Sequence, residues 1–191
     1  MPEDYKFGHN MNLCSLYIML NDFDLAEKYG LLAEKTNNNE CLINLATIYY
    51  QLNDFEKTEK YLMQSLKVDP EDVLVLSNNA EFYFNMGNSD KTKEFIDKLN
   101  KIHPKSGNTL MFNNILEYCD GNKKQAIENL RELILKVNKK NIINLKFNRM
   151  INGFLKNGVS QEEFENLKIE IFDNKEKEMG SKEIGKEELM G

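Results

Sequence analysis

Residues 13–23 read LCSLYIMLNDF, and residues 45–55 read LATIYYQLNDF. Six of the eleven aligned positions are identical, at a displacement of 32 residues. Both stretches end on the same Leu-Asn-Asp-Phe tetrapeptide. Such similarity between two parts of one chain is the signature of an internal repeat, and an internal repeat decides the class of fold.

Further along the chain, the repeat continues at a displacement of 34 residues. The correspondences are Ala46 with Ala80, Tyr49 with Tyr83, Asn53 with Gly87 and Gly121, Leu62 with Ile96 and Leu130, and Pro70 with Pro104. A period of 34 residues is typical of helix-turn-helix units that stack into a solenoid. The period therefore predicts an all-α chain.

Within each repeat, apolar residues recur every three or four positions, as in Leu42, Leu45 and Ile48. This spacing is typical of amphipathic helices, and no alternation of period two indicates strands. We therefore expect ten helices, arranged as five pairs of neighbouring helices.

Several residues mark where these helices begin and end. Asn53, Gly87 and Gly121 stand where a first helix ends, and we expect left-handed backbone conformations there. Ser160 followed by Glu163 has the spacing of a capping box, which predicts the start of the last helix.

The repeat divides the chain into a lead-in, five repeats and a tail. The lead-in covers residues 1–7, and the tail covers residues 173–191. The repeats cover about residues 8–38, 39–72, 73–106, 107–140 and 141–172. The tail is charged and carries three glycines, so we expect it to be disordered.

The pattern of these repeats resembles the tetratricopeptide repeat family. The second repeat carries it almost in full, with Leu45-Ala46, Tyr49, Asn53-Asp54-Phe55, Thr58, Leu62, Ser65-Leu66 and Asp69-Pro70. The fourth and fifth repeats diverge more. The resemblance implies a right-handed α-solenoid that acts as a scaffold or adaptor for protein binding, without catalytic activity. The three widely spaced cysteines and the acidic start of the sequence predict a cytoplasmic protein.

The resemblance also implies where a ligand binds, because first helices in this family line a concave groove. The sixth position of successive repeats holds Asn12, Asn44 and Asn78, and the twelfth holds Tyr50, Phe84 and Tyr118. Met111 and Ile115 lie between them, and Lys146 and Arg149 replace asparagine in the fifth repeat. We expect the asparagines to hold a peptide main chain, the aromatic stripe to anchor side chains, and the two cations to favour an acidic end.

Composition and motifs point away from catalysis. The 191 residues carry a net charge of −6, which argues against a broad electrostatic attraction of the protein to nucleic acid or to an anionic membrane. The three cysteines, at positions 14, 41 and 119, have no partners at metal-ligand spacing. No nucleophile elbow, zinc-protease or dinucleotide motif occurs, so we expect no cofactor, no metal and no enzyme activity.

Three alternatives remain open at this level. The chain between Arg131 and Lys156 holds seven basic residues and only one acidic residue, so it is a candidate for nucleic acids or acidic ligands. A secretion chaperone of the same repeat class is similar in length and acidity. The chain is also compatible with a role beside a separate enzyme. A carboxylate clamp is disfavoured, because Met11, Ser15, Leu74 and Asn78 occupy its places.

Overall fold

The computed structural model describes residues 3–34, 38–137 and 140–172. These ranges contain eleven α-helices and no β-strand. The helices are α1 Glu3–Met19, α2 Phe23–Ala33, α3 Asn39–Gln51, α4 Phe55–Val68, α5 Val73–Met86, α6 Ser89–Ile102, α7 Gly107–Cys119, α8 Lys123–Val137, α9 Lys140–Arg149, α10 Ile151–Lys156 and α11 Gln161–Phe172. The expected all-α class of α-solenoid type is confirmed. The predicted tail lies outside the described residues.

The chain divides into two compact parts. Of the described residues, those within 1–82 and 91–103 form the N-block, and those within 83–90 and 104–191 form the C-block. In the N-block, α1 packs against α2, α3 packs against α4, and both α1 and α2 contact α3. In the C-block, α7 pairs with α8, and α8 contacts both α9 and α11.

The internal repeat is reproduced in side-chain packing within the N-block. Tyr17 stacks on Tyr29 with ring centroids 5.5 Å apart and planes at 4°, and Tyr49 stacks on Tyr61 with the same distance and angle. Small buried residues such as Ala46 let the paired helices approach. The first two repeats therefore share one three-dimensional pattern, as their sequences predict.

The predicted turn conformations are confirmed. Asn53, Gly87 and Gly121 have φ angles of 59°, 72° and 99°. After the asparagine turn, the Asp54 side chain accepts a hydrogen bond from the Lys57 main-chain N–H at 3.1 Å, and so caps α4. Asn21, at φ 57°, forms the equivalent turn in the first repeat.

The two ends of the repeat array depart from the sequence-based expectation. α1 begins at Glu3, so it includes most of the segment that we expected to precede the first repeat. The first helix of the fifth repeat is broken at Met150 into α9 and α10. The described ranges therefore contain eleven helices, whereas the sequence predicts ten.

The predicted capping box forms at the start of α11. The hydroxyl of Ser160 accepts a hydrogen bond from the main-chain N–H of Glu163 at 3.1 Å. The Glu163 carboxylate in turn interacts with the main-chain N–H of Ser160, which helps to lower the pKa of Glu163. The same carboxylate accepts hydrogen bonds from Tyr118 and Lys123, so it also ties α11 to the fourth repeat.

Candidate binding surface

The predicted asparagine row lies in the N-block, on the face formed by α1, α3 and the first part of α5. Asn12 is exposed. The Nδ2 of Asn44 donates a hydrogen bond to the hydroxyl of Ser15 at 3.1 Å, and the Nδ2 of Asn78 donates to the carbonyl of Leu74 at 2.8 Å. Among the described residues, no donor reaches the Oδ1 of Asn44 or Asn78. These oxygens can therefore accept hydrogen bonds from a ligand.

Tyr50 is on α3, like Asn44, and contacts Phe82, which is four residues after Asn78 on α5. It is half-buried. Its ring contacts Phe55 at a centroid distance of 5.7 Å and meets the edge of Phe82 at 6.4 Å. Rings that brace an aromatic side chain limit its rotation, so less entropy is lost when a ligand packs on it. We name Asn12, Asn44, Asn78 and Tyr50 together the first-helix face.

The other members of the expected aromatic stripe are not exposed. Phe84, Met111, Ile115 and Tyr118 are buried in the C-block, with between 0% and 3% of their surface accessible. The expectation that these four side chains line an open groove is therefore wrong. A ligand can reach them only if other parts of the C-block move away.

Phe154 of α10 covers two of these four side chains, Phe84 and Tyr118. Its ring meets Phe84 edge-on at 5.5 Å and Tyr118 at 6.3 Å. The backbone of α10 also lies directly on Phe84, since a Cβ added to Gly153 would be 2.0 Å from its Cδ1 atom. Phe147 and Phe164 contact Phe154 from other directions. The C-block stripe therefore forms part of an aromatic core.

Asn85, which no sequence pattern singles out, bonds to the main chain on both sides of the helix break. Its Nδ2 donates to the carbonyl of Arg149 at 3.0 Å, and its Oδ1 accepts from the N–H of Gly153 at 3.1 Å. These two main-chain groups lie on either side of the break at Met150. The buried amide thus satisfies backbone groups that a helix end leaves unpaired.

The two predicted cations also belong to the C-block. The ammonium group of Lys146 donates a hydrogen bond to the Oδ1 of Asn108 at 2.7 Å. Arg149 is half-buried, and its main-chain carbonyl is the group that Asn85 contacts. Both residues therefore take part in contacts within the block.

Tyr118 is fixed by its hydroxyl as well as by its ring. The hydroxyl donates to the Glu163 carboxylate at 2.9 Å, and burial together with this hydrogen bond raises the pKa of Tyr118. The hydrogen bond from Lys123, followed by that from Tyr118, lowers the pKa of Glu163. This cluster joins α7, α8 and α11, which is a structural role.

Within the described part of the basic stretch, residues 131–156, no aromatic ring is exposed for bases to stack on. Phe147 and Phe154 are completely buried, as their helical spacing predicts. Lys136 forms an ion pair with Glu132 at 3.1 Å, and Arg131 donates to the carbonyl of Glu170. Stacking supplies much of the affinity for single-stranded nucleic acid, so no observation favours that ligand.

The thiols and imidazoles form no recognisable catalytic arrangement. Burial is the main reason why the pKa of Cys14 rises to about 11 and that of Cys41 and Cys119 to about 12, so little thiolate exists near neutral pH. His103 contacts the carbonyl of Glu71, and His9 is exposed. Among the described residues, no group of three metal-binding side chains occurs.

Across the ranges given above, no helix combines the length and the apolar character that crossing a membrane requires.

Comparisons with known proteins agree with the fold. Residues 40–72 match the family model for the tetratricopeptide repeat, and this is the repeat that carries the sequence pattern most completely. A tetratricopeptide repeat protein from Parabacteroides merdae ATCC 43184 has a similar crystal structure, with a TM-score of 0.58 and 19% sequence identity. The alignment covers 86% of this chain and 62% of that chain. No curated protein matches the sequence.

The family model and the structural likeness confirm the resemblance to tetratricopeptide repeat proteins. At 19% sequence identity, the likeness to the solved structure supports the fold and nothing further. This chain spans less than two thirds of the length of that protein. Repeats of this kind support a general role as a protein-interaction scaffold.

Proposed function

We propose that this tetratricopeptide repeat protein is a non-catalytic scaffold that binds an extended peptide of a partner protein along its first-helix face. The observation that carries the proposal is the pair of available amide oxygens, on Asn44 and Asn78, beside the braced ring of Tyr50. The oxygens would accept main-chain N–H groups, and the ring would pack on a side chain.

The proposal confines the binding surface to the N-block. Phe84 and Tyr118 occupy the same repeat position as Tyr50, but their rings are already covered by Phe154. Lys146 already donates to Asn108. A ligand on the first-helix face therefore needs none of these three residues.

A non-catalytic role is supported by the state of the most reactive side chains. The raised pKa values of the three thiols make each a poor nucleophile at neutral pH. All three are free, which suits a reducing compartment such as the cytoplasm. We include that location in the proposal.

Site-specific photo-crosslinking tests the surface. A photoreactive amino acid at Asn12, which is exposed beside the asparagine row, should capture a partner from a lysate of the source cells. The same amino acid at Glu128, exposed on α8, is the matched control. We expect one or a few partners to crosslink from position 12 and to be absent from position 128.

Two results would contradict the proposal. A partner captured equally from both positions would indicate contact without a defined face. A partner captured only from position 128 would place binding on the second helices of the C-block.

A further inference from the structure

One side of α1 has a buried counterpart elsewhere in the N-block. We name this side the α1 outer face, formed by His9, Leu13, Leu16 and Tyr17. A displacement of 32 residues relates it to Cys41, Leu45, Ile48 and Tyr49 of α3. The four α3 residues are buried, whereas Leu16 is 48% exposed, His9 is exposed, and Leu13 and Tyr17 are partly exposed.

Helix α2 covers the counterpart surface on α3 through three contacts. The thiol of Cys41 donates to the carbonyl of Gly30 at 3.4 Å. Leu45 lies against Gly30 so closely that an added Cβ would be 2.8 Å from its Cδ2 atom. The hydroxyl of Tyr49 donates to the carboxylate of Glu27 at 2.6 Å. A carboxylate three residues before a glycine is therefore what recognises this surface.

The α1 outer face presents the same groups without the covering helix. Tyr17 and Tyr29 repeat the stacking geometry of Tyr49 and Tyr61, so the Tyr17 ring is held in the same way. No described residue accepts a hydrogen bond from the Tyr17 hydroxyl. His9, in place of Cys41, supplies a ring N–H that can donate to a carbonyl.

We propose that the α1 outer face binds an amphipathic helix of another protein, with Asp or Glu three residues before Gly or Ala on its apolar side. The small residue would admit Leu13 as Gly30 admits Leu45. The carboxylate would accept the hydroxyl of Tyr17 as Glu27 accepts that of Tyr49. This surface adjoins the first-helix face, because Leu16 follows Asn12 by one helical turn. The proposal rests on the contacts of α2 with α3 and not on the peptide proposed for the first-helix face.

The sequence offers little for a second helix of this kind. Outside the described ranges, Glu188 stands three residues before Gly191, but Ile184, Leu189 and Met190 are the only apolar side chains among residues 180–191, too few for an apolar side. Within the described ranges, α2 alone carries an acidic residue three positions before glycine or alanine, at Glu27 and Gly30. That side of α2 already covers α3. A second copy of the chain could place its α2 on the α1 outer face only if its own α3 became exposed. The α1 outer face presents only large side chains, which keep two such faces from the close approach seen at Gly30.

A synthetic copy of α2 is the probe that tests this proposal. The peptide comprises residues 22–34, locked as a helix by an amide bond between the side chains of Asp24 and Lys28. Both side chains are exposed in α2 and lie away from Glu27 and Gly30. Its binding to the full chain is measured by fluorescence anisotropy.

We expect saturable binding that Leu16→Asp weakens by about tenfold or more, as for a central apolar contact. Leu74→Asp is the matched control, because Leu74 is similarly exposed, at 52%, but lies on α5. The Leu74→Asp variant should bind the peptide with unchanged affinity. A Gly30→Leu peptide should bind more weakly. Tyr17→Phe should weaken binding of the Glu27 peptide but not of a Glu27→Ala peptide, whose side chain cannot accept the hydrogen bond.

Several outcomes would overturn the proposal. They include no saturable binding at about 1 mM peptide, and unchanged affinity for Leu16→Asp with intact circular dichroism. A dimer of the chain alone that Leu16→Asp dissociates would assign the face to a second copy. Tighter peptide binding after removal of residues 173–191 would assign it to the tail.

Discussion

Asn79 is a completely buried amide at a repeat position where the first two repeats carry Leu13 and Leu45. Its Nδ2 donates to the carbonyl of Val75 at 2.9 Å, but its Oδ1 has no hydrogen-bond partner. A buried polar atom without a partner lowers the free energy of unfolding, because the atom loses its hydration and gains nothing in return.

We therefore expect Asn79→Leu to raise the free energy of unfolding by about 1 to 2 kcal/mol in urea denaturation. Asn78→Leu is the control, because Asn78 makes the same type of bond to its own helix but is half-buried, and it should change stability little. A loss of stability on Asn79→Leu would mean that the site has no room for the larger apolar side chain.

Tyr50 and Phe84 occupy the same repeat position but have different surroundings. Phe84 is 2% exposed and contacts Phe154, whereas Tyr50 is half-buried. We expect Phe84→Ala to lower the free energy of unfolding by about 3 to 5 kcal/mol, and Tyr50→Ala to lower it by clearly less. Denaturant unfolding of both variants measures this. Equal losses would argue that the two rings are equally buried.

At the scale of elements, the break between α9 and α10 determines the character of the C-block. The break brings Gly153 and Phe154 onto Phe84, and Asn85 bonds the main chain on both sides of Met150. A glycine inside a helix normally costs stability relative to alanine. Here it permits a close approach of backbone to ring, which a side chain would prevent.

Gly153→Ala should therefore destabilise the protein by about 1 to 3 kcal/mol, although helix propensity alone predicts a gain. Gly8→Ala in α1 is the control, because nothing lies within 4 Å of an added Cβ there, and it should stabilise slightly. Thermal melting of the two variants distinguishes the effects. A higher melting temperature for Gly153→Ala would contradict the close contact with Phe84.

The elements that follow from local pattern were predictable from the sequence. The turns at Asn53, Gly87 and Gly121 follow because few residues other than glycine and asparagine adopt a positive φ without strain. The break at Met150 was not predictable, because it depends on Asn85, which is 64 residues away from Arg149. The pair Gly153-Phe154 was the available signal, since glycine within an apolar helical pattern often marks a close backbone contact.

At the scale of the whole molecule, the prediction about the tail stays open, since residues 173–191 lie outside the described ranges. Its charge and its glycines leave little apolar surface to bury. We expect truncation after Phe172 to leave the melting temperature and the helicity per remaining residue nearly unchanged. Calorimetry and circular dichroism check this. A fall of many degrees would show that the tail packs on the repeats.

The candidate site was predictable only in part, for a reason that concerns the whole chain. Periodicity places Tyr50, Phe84 and Tyr118 at one repeat position. In an array of equivalent repeats, side chains at one position should have similar solvent exposure. The fifth repeat breaks this equivalence because Phe154 covers two of the three rings. The sequence pattern identifies a shared position, but exposure also depends on what packs over it.

The most direct test of the proposed function is the affinity of the crosslinked partner for the full chain and for Tyr50→Ala. A braced aromatic anchor should contribute about 2 kcal/mol or more, so Kd should rise by about 30-fold. Glu128→Ala, far along the sequence in α8, should bind like the unmodified chain. An unchanged Kd for a folded Tyr50→Ala variant would contradict binding on the first-helix face.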